Sequence, residues 1–209
     1  GSPEIAVGNV IGSNVANLAL VLGLTVLIFP IIVDRETKVI DWPVMMLATI
    51  LFYIFLFDGV IELWEGLVLF SFLVVFVTWL IRRSRKESKL KIEEHLVKES
   101  TLLTVAYLML GLIGLYFGSE WFVEGAVQIA INLGMSKSVI GVTIVAFGTS
   151  APELVASCVA AYRKQSDISI GTLIGSNIFN IMAVIGLTSI VSPIDLSGVD
   201  ASQFLNFDM

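Results

Sequence analysis

A single cysteine, Cys158, and a single histidine, His95, rule out an internal disulfide and a Cys/His metal cluster. No Gly-rich phosphate loop and no nucleophile motif is present, which argues against an enzyme, and no cofactor site is indicated. Cys158 lies in an apolar stretch and reads as a small packing residue, and His95 lies in a charged loop. Charge is scarce: Asp, Glu, Lys and Arg make up 14% of residues, where a soluble domain carries about a quarter. With a net charge of −6, nothing reads as a nucleic-acid surface.

What the chain has instead is apolar length. Hydrophobic residues make up 56% of the 209, and the mean hydropathy is +0.93. A helix that crosses a bilayer needs about 20 apolar residues. Six such stretches are predicted: Ile5–Phe29, Trp42–Leu56, Leu63–Ile81, Leu102 to about Leu133, Ser138–Tyr162 and Ile168–Val191. The fourth is read as one long tilted helix rather than two short ones. The chain is therefore an all-α polytopic membrane protein with the lipid bilayer as its surroundings. Seven of the twelve basic residues fall between Arg82 and Lys98. If that loop is cytoplasmic, Arg35, Lys38, Arg163 and Lys164 share its side and only Lys137 lies opposite, as the positive-inside rule requires.

A repeat links the two ends. Glu4–Ile31 aligns with Asp167–Ile194 at a constant offset of 163 without a gap, and 13 of 28 positions are identical. These include Gly12-Ser13-Asn14 over Gly175-Ser176-Asn177, and Asn17 over Asn180. The copies lie in the first and sixth spans, so they run in opposite directions. Inverted repeats of this kind are common in secondary transporters, which bind ions where the repeats meet.

Polar residues gather in the same segments. The fifth span contains Gly148-Thr149-Ser150-Ala151-Pro152-Glu153. A glutamate inside a span faces a cavity or a partner. Pro152 lacks an N–H, so the Gly148 carbonyl loses its helical partner. Helical spacing puts Ala146, Ser150 and Glu153 on one face, with Thr149 adjacent, and pairs Ser176 with Asn180 and Ser13 with Asn17. Carbonyls, hydroxyls and a carboxylate are hard oxygen donors suited to Na⁺ or Ca²⁺. The repeat partner of Glu153 would fall before Gly1, so the chain is expected to be an internal fragment whose missing N-terminal helices carry a first-repeat Glu.

The segments Val139–Thr143, Ala146–Glu153, Gly175–Asn180 and Gly12–Asn17 resemble the two α-repeats of the sodium/calcium exchanger (cation/calcium antiporter) superfamily. By span order the resemblance runs from the third to the eighth of the family's ten helices. It implies the inverted-repeat cation/calcium exchanger fold, with Glu153 as the second-repeat carboxylate that ligates Ca²⁺ and contributes to Na⁺ sites. Ser150, Thr149 and the Ala146 carbonyl would serve Na⁺. Ser176 and Asn180 would complete the second-repeat side, and Ser13 and Asn17 the first. The long fourth span resembles the family's mobile helix. Residues 1–82 would be the remainder of the first repeat, 83–100 a charged cytoplasmic linker and 101–209 the second repeat. The function implied is Ca²⁺/Na⁺ antiport by alternating access in the plasma (inner) membrane. The alternatives are an H⁺- or K⁺-coupled exchanger and a non-transporting cation-binding scaffold or channel. Some branches carry Asp where this chain has Asn180, and the neutral amide argues against K⁺ co-transport.

Overall fold

The structure, a computed structural model, describes residues 3–90, 100–134, 148 and 150–196. Along the chain, α1 (Pro3–Val15) passes through a π-helical stretch (Ala16–Val21) into α2 (Leu22–Ile28). A second π-helical stretch (Thr37–Asp41) leads into α3 (Trp42–Phe55), and a two-residue strand, β1 (Val60–Ile61), precedes α4 (Leu63–Leu90). Next come α5 (Thr101–Asn132), α6 (Ala151–Tyr162) and α7 (Ser166–Phe179). A third π-helical stretch (Asn180–Ile185), α8 (Gly186–Val191) and β2 (Ile194–Asp195) complete the described fold.

Among the described residues, five helical runs are long and apolar enough to cross a membrane: Ala6–Ile28, Thr37–Phe55, Leu63–Lys86, Leu102–Asn132 and Ser166–Val191. Ala151–Tyr162, a shorter apolar helix, is the described part of the expected fifth span. The first and last of these spans stop for the same reason. Phe29 and Ser192 turn extended, with φ of −132° and −154°, because each precedes a proline that bars the helical conformation.

Three expectations need correction. The second span begins at Thr37 rather than Trp42, because Asp34 starts the helix early. Its Oδ2 accepts the Glu36 N–H at 3.0 Å, and the Glu36 and Arg35 amides hold its carboxyl below the usual range. The third helix continues past Ile81 to Leu90, so residues 83–90 of the supposed linker are helical; Arg, Lys and Glu are good helix formers. In the fifth span a helix starts at Ala151, so Ser150 is its N-cap rather than a mid-helix residue. The fourth span is a single 32-residue helix as anticipated, roughly 48 Å long at 1.5 Å per residue.

The core lies where the first, second, third and last spans meet, around Val10, Met45, Phe52, Leu69, Ile178 and Met182. Between helices in lipid, close packing replaces the hydrophobic drive. Gly66 of α4 shows how close: a Cβ there would lie 2.1 Å from Ser189 Oγ and 2.7 Å from the Gly186 carbonyl of α8.

Contacts at the two ends support the span order. At one end Arg83 pairs with Glu36 and stacks over Trp79, and Phe29 meets Tyr162 edge-on at 5.7 Å. Arg35, Lys38, the basic end of α4 and Arg163 thus share one end of the molecule. At the other end β1 pairs antiparallel with β2, Val60 facing Asp195, and Gly59 accepts the Leu196 N–H at 2.8 Å.

Candidate functional site

The site starts from a proline. Pro152 occupies the first turn of α6, where its missing N–H costs nothing, and Ser150 takes the N-cap position with φ −94° and ψ 0°. An N-cap serine ordinarily accepts an N–H from the second or third helical residue. Pro152 has none to give, and the Ser150 hydroxyl makes no capping bond. Glu153 sits in the first turn of α6, where the helix dipole favours a negative charge. Ser150 and Glu153 are thus neighbours through a helix start. The face expected to join Ser150 and Glu153 to Ala146 falls partly outside the described residues. Ala146 and Thr149 lie outside the described residues.

The duplicated motif supplies the rest. Ser176 donates to Glu153 Oε1 at 2.9 Å, joining α6 to α7. Asn17 donates Nδ2 to Ser176 Oγ at 3.4 Å and to Asn177 Oδ1 at 3.0 Å. Asn180 donates Nδ2 to Ser13 Oγ at 3.1 Å and to Asn14 Oδ1 at 3.0 Å. Ser13 donates its own proton to the Asn9 carbonyl at 2.7 Å. Asn14 and Asn177 each donate to the other's backbone carbonyl at 3.3 Å. Every bond between the two copies has a counterpart under the offset of 163, and the pairing of Ser13 with Asn180 and of Asn17 with Ser176 makes the helices antiparallel. The first and last π-helical stretches follow the motif at positions that agree within one residue under the same offset. A π-helical turn of this kind often marks a functional site.

Among the described residues, three buried side-chain atoms have no hydrogen-bond partner: Asn17 Oδ1, Ser150 Oγ and Glu153 Oε2. Asn17 and Ser150 are each 1% exposed. An unsatisfied buried polar atom costs about 1–3 kcal/mol, so three of them, two joined through Ser176 and the third at the helix start three residues before Glu153, need a purpose. All three are hard oxygens, two neutral and one anionic, a set that fits a hard cation better than a transition metal. No group of three or more His, Cys, Asp or Glu side chains that could hold a metal ion occurs among the described residues. Six of the eight residues singled out from sequence, namely Ser13, Asn17, Ser150, Glu153, Ser176 and Asn180, belong to the network or to the helix start beside it.

Residue-by-residue reading passed over Asn14 and Asn177, although both stand inside the duplicated motif. It also passed over Ser157 and Ser169, whose hydroxyls donate to each other's backbone carbonyls at 3.2 and 3.0 Å and clamp α6 to α7. Gly148 was noted for its carbonyl but not for its packing. A Cβ on it would lie 1.8 Å from Val123 Cγ2 of α5, so α5 presses directly on the chain ahead of Ser150. Beside this contact, Gly114 and Gly118 of α5 face Ala151, Pro152 and Val155 across a cleft of about 430 Å³.

Comparison with known proteins places these features in context. The family model described as sodium/calcium exchanger protein matches residues 1–82 and 103–209. A membrane protein of Methanocaldococcus jannaschii is 39% identical over 195 residues, covering 90% of this chain and 61% of that protein. The solved sodium/calcium exchanger from Methanococcus jannaschii superposes with a TM-score of 0.74 at 35% identity, over 90% of this chain and 60% of that one. A crystal structure of the H⁺/Ca²⁺ exchanger CAX shares the fold, with a TM-score of 0.63 at 19% identity over 96% of this chain and 55% of that one. The chain spans about six tenths of the length of the curated relatives it matches.

Proposed function

Because the chain belongs to the sodium/calcium exchanger family and is a multi-pass membrane protein, we propose that the intact protein is a secondary antiporter moving Ca²⁺ against Na⁺ across the plasma (inner) membrane. The observation that carries this reading is the trio of unpartnered buried oxygens: those of Asn17 and Glu153, whose side chains are joined through Ser176, and that of Ser150 at the start of the helix that carries Glu153. In this reading Glu153 supplies the charge that a divalent ion needs, since each Coulomb term scales with the charge of the ion. Ser150 and Asn17 supply neutral oxygens, and Ser176 holds the Glu153 carboxylate in place. Ser13 and Asn180 line the side related by the repeat. Ala146 and Thr149 complete the set by family resemblance, and a first-repeat carboxylate outside this chain would bring the second negative charge.

Alternating access would be provided by α5. It is exposed along nearly its whole described length, Ala130 being its one buried residue there. Its glycines offer a smooth face to α6 across the cleft, so movement of α5 would open and close the approach to Ser150 and Glu153. Neutral Asn180, in place of an aspartate, favours Na⁺ over K⁺ coupling.

The test is Ca²⁺ uptake by the intact protein in proteoliposomes under an imposed Na⁺, H⁺ or K⁺ gradient. Uptake driven by the Na⁺ gradient alone is the expected result. Uptake driven by the pH gradient alone would make the protein an H⁺/Ca²⁺ exchanger, and gradient-independent leak would make it a channel.

A further inference from the structure

We propose that Asn14 and Asn177 are positioning residues that set which way the Asn17 and Asn180 side-chain amides face, so that each presents oxygen rather than N–H to the cation. This rests on the reading of Asn17 and Asn180 as ligands and adds what makes them ligands. A side-chain amide is two-faced: its Oδ1 attracts a cation and its NH₂ repels one. Nothing in the shape of asparagine decides between the two, so the hydrogen-bond network must.

The chain of reasoning begins at a group that cannot flip. The Asn14 backbone carbonyl can only accept, and the Asn177 Nδ2 donates to it at 3.3 Å. Asn177 Nδ2 also lies 3.8 Å from Met45 Sδ, a weak acceptor. Turning the Asn177 amide over would set its oxygen against both acceptors. Its Oδ1 therefore faces Asn17 and can only accept, which draws Asn17 Nδ2 to 3.0 Å. Ser176 adds a second constraint, because its one proton goes to Glu153 and its Oγ is left to accept from Asn17. With its NH₂ held by two acceptors, Asn17 keeps Oδ1 on the side away from them, buried and without a donor, as one of the three unpartnered oxygens.

The other copy follows the same logic. Asn14 Nδ2 donates to the Asn177 carbonyl, leaving Asn14 Oδ1 to accept from Asn180 Nδ2 at 3.0 Å. Ser13 has its proton committed to the Asn9 carbonyl and accepts from Asn180 as well. Each repeat thus orients the proposed ligand of the other, and the polarity originates in two backbone carbonyls that substitution cannot reverse.

The experiment is Na⁺-gradient-driven uptake of radiolabelled Ca²⁺ by the intact protein in proteoliposomes. It reads the apparent KM for Ca²⁺, the Na⁺ concentration giving half-maximal rate, and the ion-free melting midpoint as a folding control. Asn17→Leu, which deletes a ligand, raises the KM about tenfold or more. Asn177→Leu raises it comparably, because the Asn17 amide is then free to turn its NH₂ inward. Asn17→Asp carries oxygen on both arms and has no wrong face, so adding Asn177→Leu to Asn17→Asp raises the KM no further. Equal penalties from Asn177→Leu in the parent and in the Asn17→Asp variant would mean packing alone and would overturn the proposal. If Asn177→Leu does not fold, Asn14→Leu is tested in the same way with and without Asn180→Asp. A normal KM and Na⁺ dependence in Asn17→Leu would sink the ligand reading itself. An effect of Asn17→Leu with none from Asn177→Leu would sink only the positioning role.

Discussion

Asn14 and Asn177 each donate a side-chain N–H to the other's backbone carbonyl at 3.3 Å, and their separation in sequence, 163 residues, is the offset of the repeat. A residue that meets its own repeat mate in a reciprocal contact marks a two-fold axis, as in an isologous dimer interface. Around it Asn17 and Asn180 repeat the same pair of bonds, so the copies in the first and last spans are related in space as well as in sequence.

The sidedness of the helices can be checked directly. The Arg83–Glu36 pair and the Phe29–Tyr162 contact put the basic segments at one end. Single cysteines placed near Arg82, Arg35 and Arg163 should react with a membrane-impermeant thiol reagent from the cytoplasmic side, and one at Lys137 from the opposite side. Reaction of positions 163 and 137 from the same side would contradict both the span count and the inverted repeat.

Gly66 sets the contact between α4 and α8. A methyl group there meets Ser189 Oγ and the Gly186 carbonyl, and neither α8 backbone nor a buried serine yields easily. Gly66→Ala should destabilise the 209-residue chain by about 1–3 kcal/mol, the usual cost of overpacking a filled site. Gly171→Ala, where the added carbon has nothing within 4 Å, should leave the melting midpoint unchanged or raise it. Thermal denaturation of the two variants in detergent decides the matter.

Asn180→Asp separates charge from hydrogen bonding. The new carboxylate would set an oxygen against Asn14 Oδ1 in place of the present N–H, and the N–H donated to Ser13 Oγ would be lost with it. We expect a loss of about 1–3 kcal/mol in the ion-free state, with Ca²⁺ binding retained because the added charge favours the ion. Melting midpoints with and without Ca²⁺ measure both effects. An unchanged ion-free midpoint would show that the Asn180–Asn14 bond carries no weight.

Much of this arrangement was legible in the sequence because it depends on local signals. Apolar length gives the spans, Pro30 and Pro193 stop two of them, and the offset of 163 pairs Ser13, Asn14 and Asn17 with Ser176, Asn177 and Asn180. What was not legible depends on partners far along the chain or on backbone geometry. Periodicity treats Ser150 and Glu153 as residues of one helix, whereas Pro152 begins a new one and leaves the Ser150 hydroxyl without a capping bond. The orientation of the Asn17 amide depends on Asn177, 160 residues away. The close approach of Gly148 to Val123 leaves no mark in composition, since a glycine chosen for packing looks like any other.

The central claim is that Glu153 Oε2, unpartnered and buried at the start of α6, belongs to the oxygen set that binds the transported Ca²⁺. The most direct test compares Na⁺-driven Ca²⁺ uptake and equilibrium Ca²⁺ binding in the intact protein for the parent, Glu153→Gln and Ser150→Ala. Glutamine keeps the shape, and its oxygen can still accept from Ser176, but the charge is gone. The account predicts that Glu153→Gln folds, fails to bind Ca²⁺ and shows no uptake above protein-free vesicles, while Ser150→Ala keeps Ca²⁺ binding and needs more Na⁺ for the same rate. Uptake by Glu153→Gln equal to that of the parent would make the carboxylate structural and contradict the site.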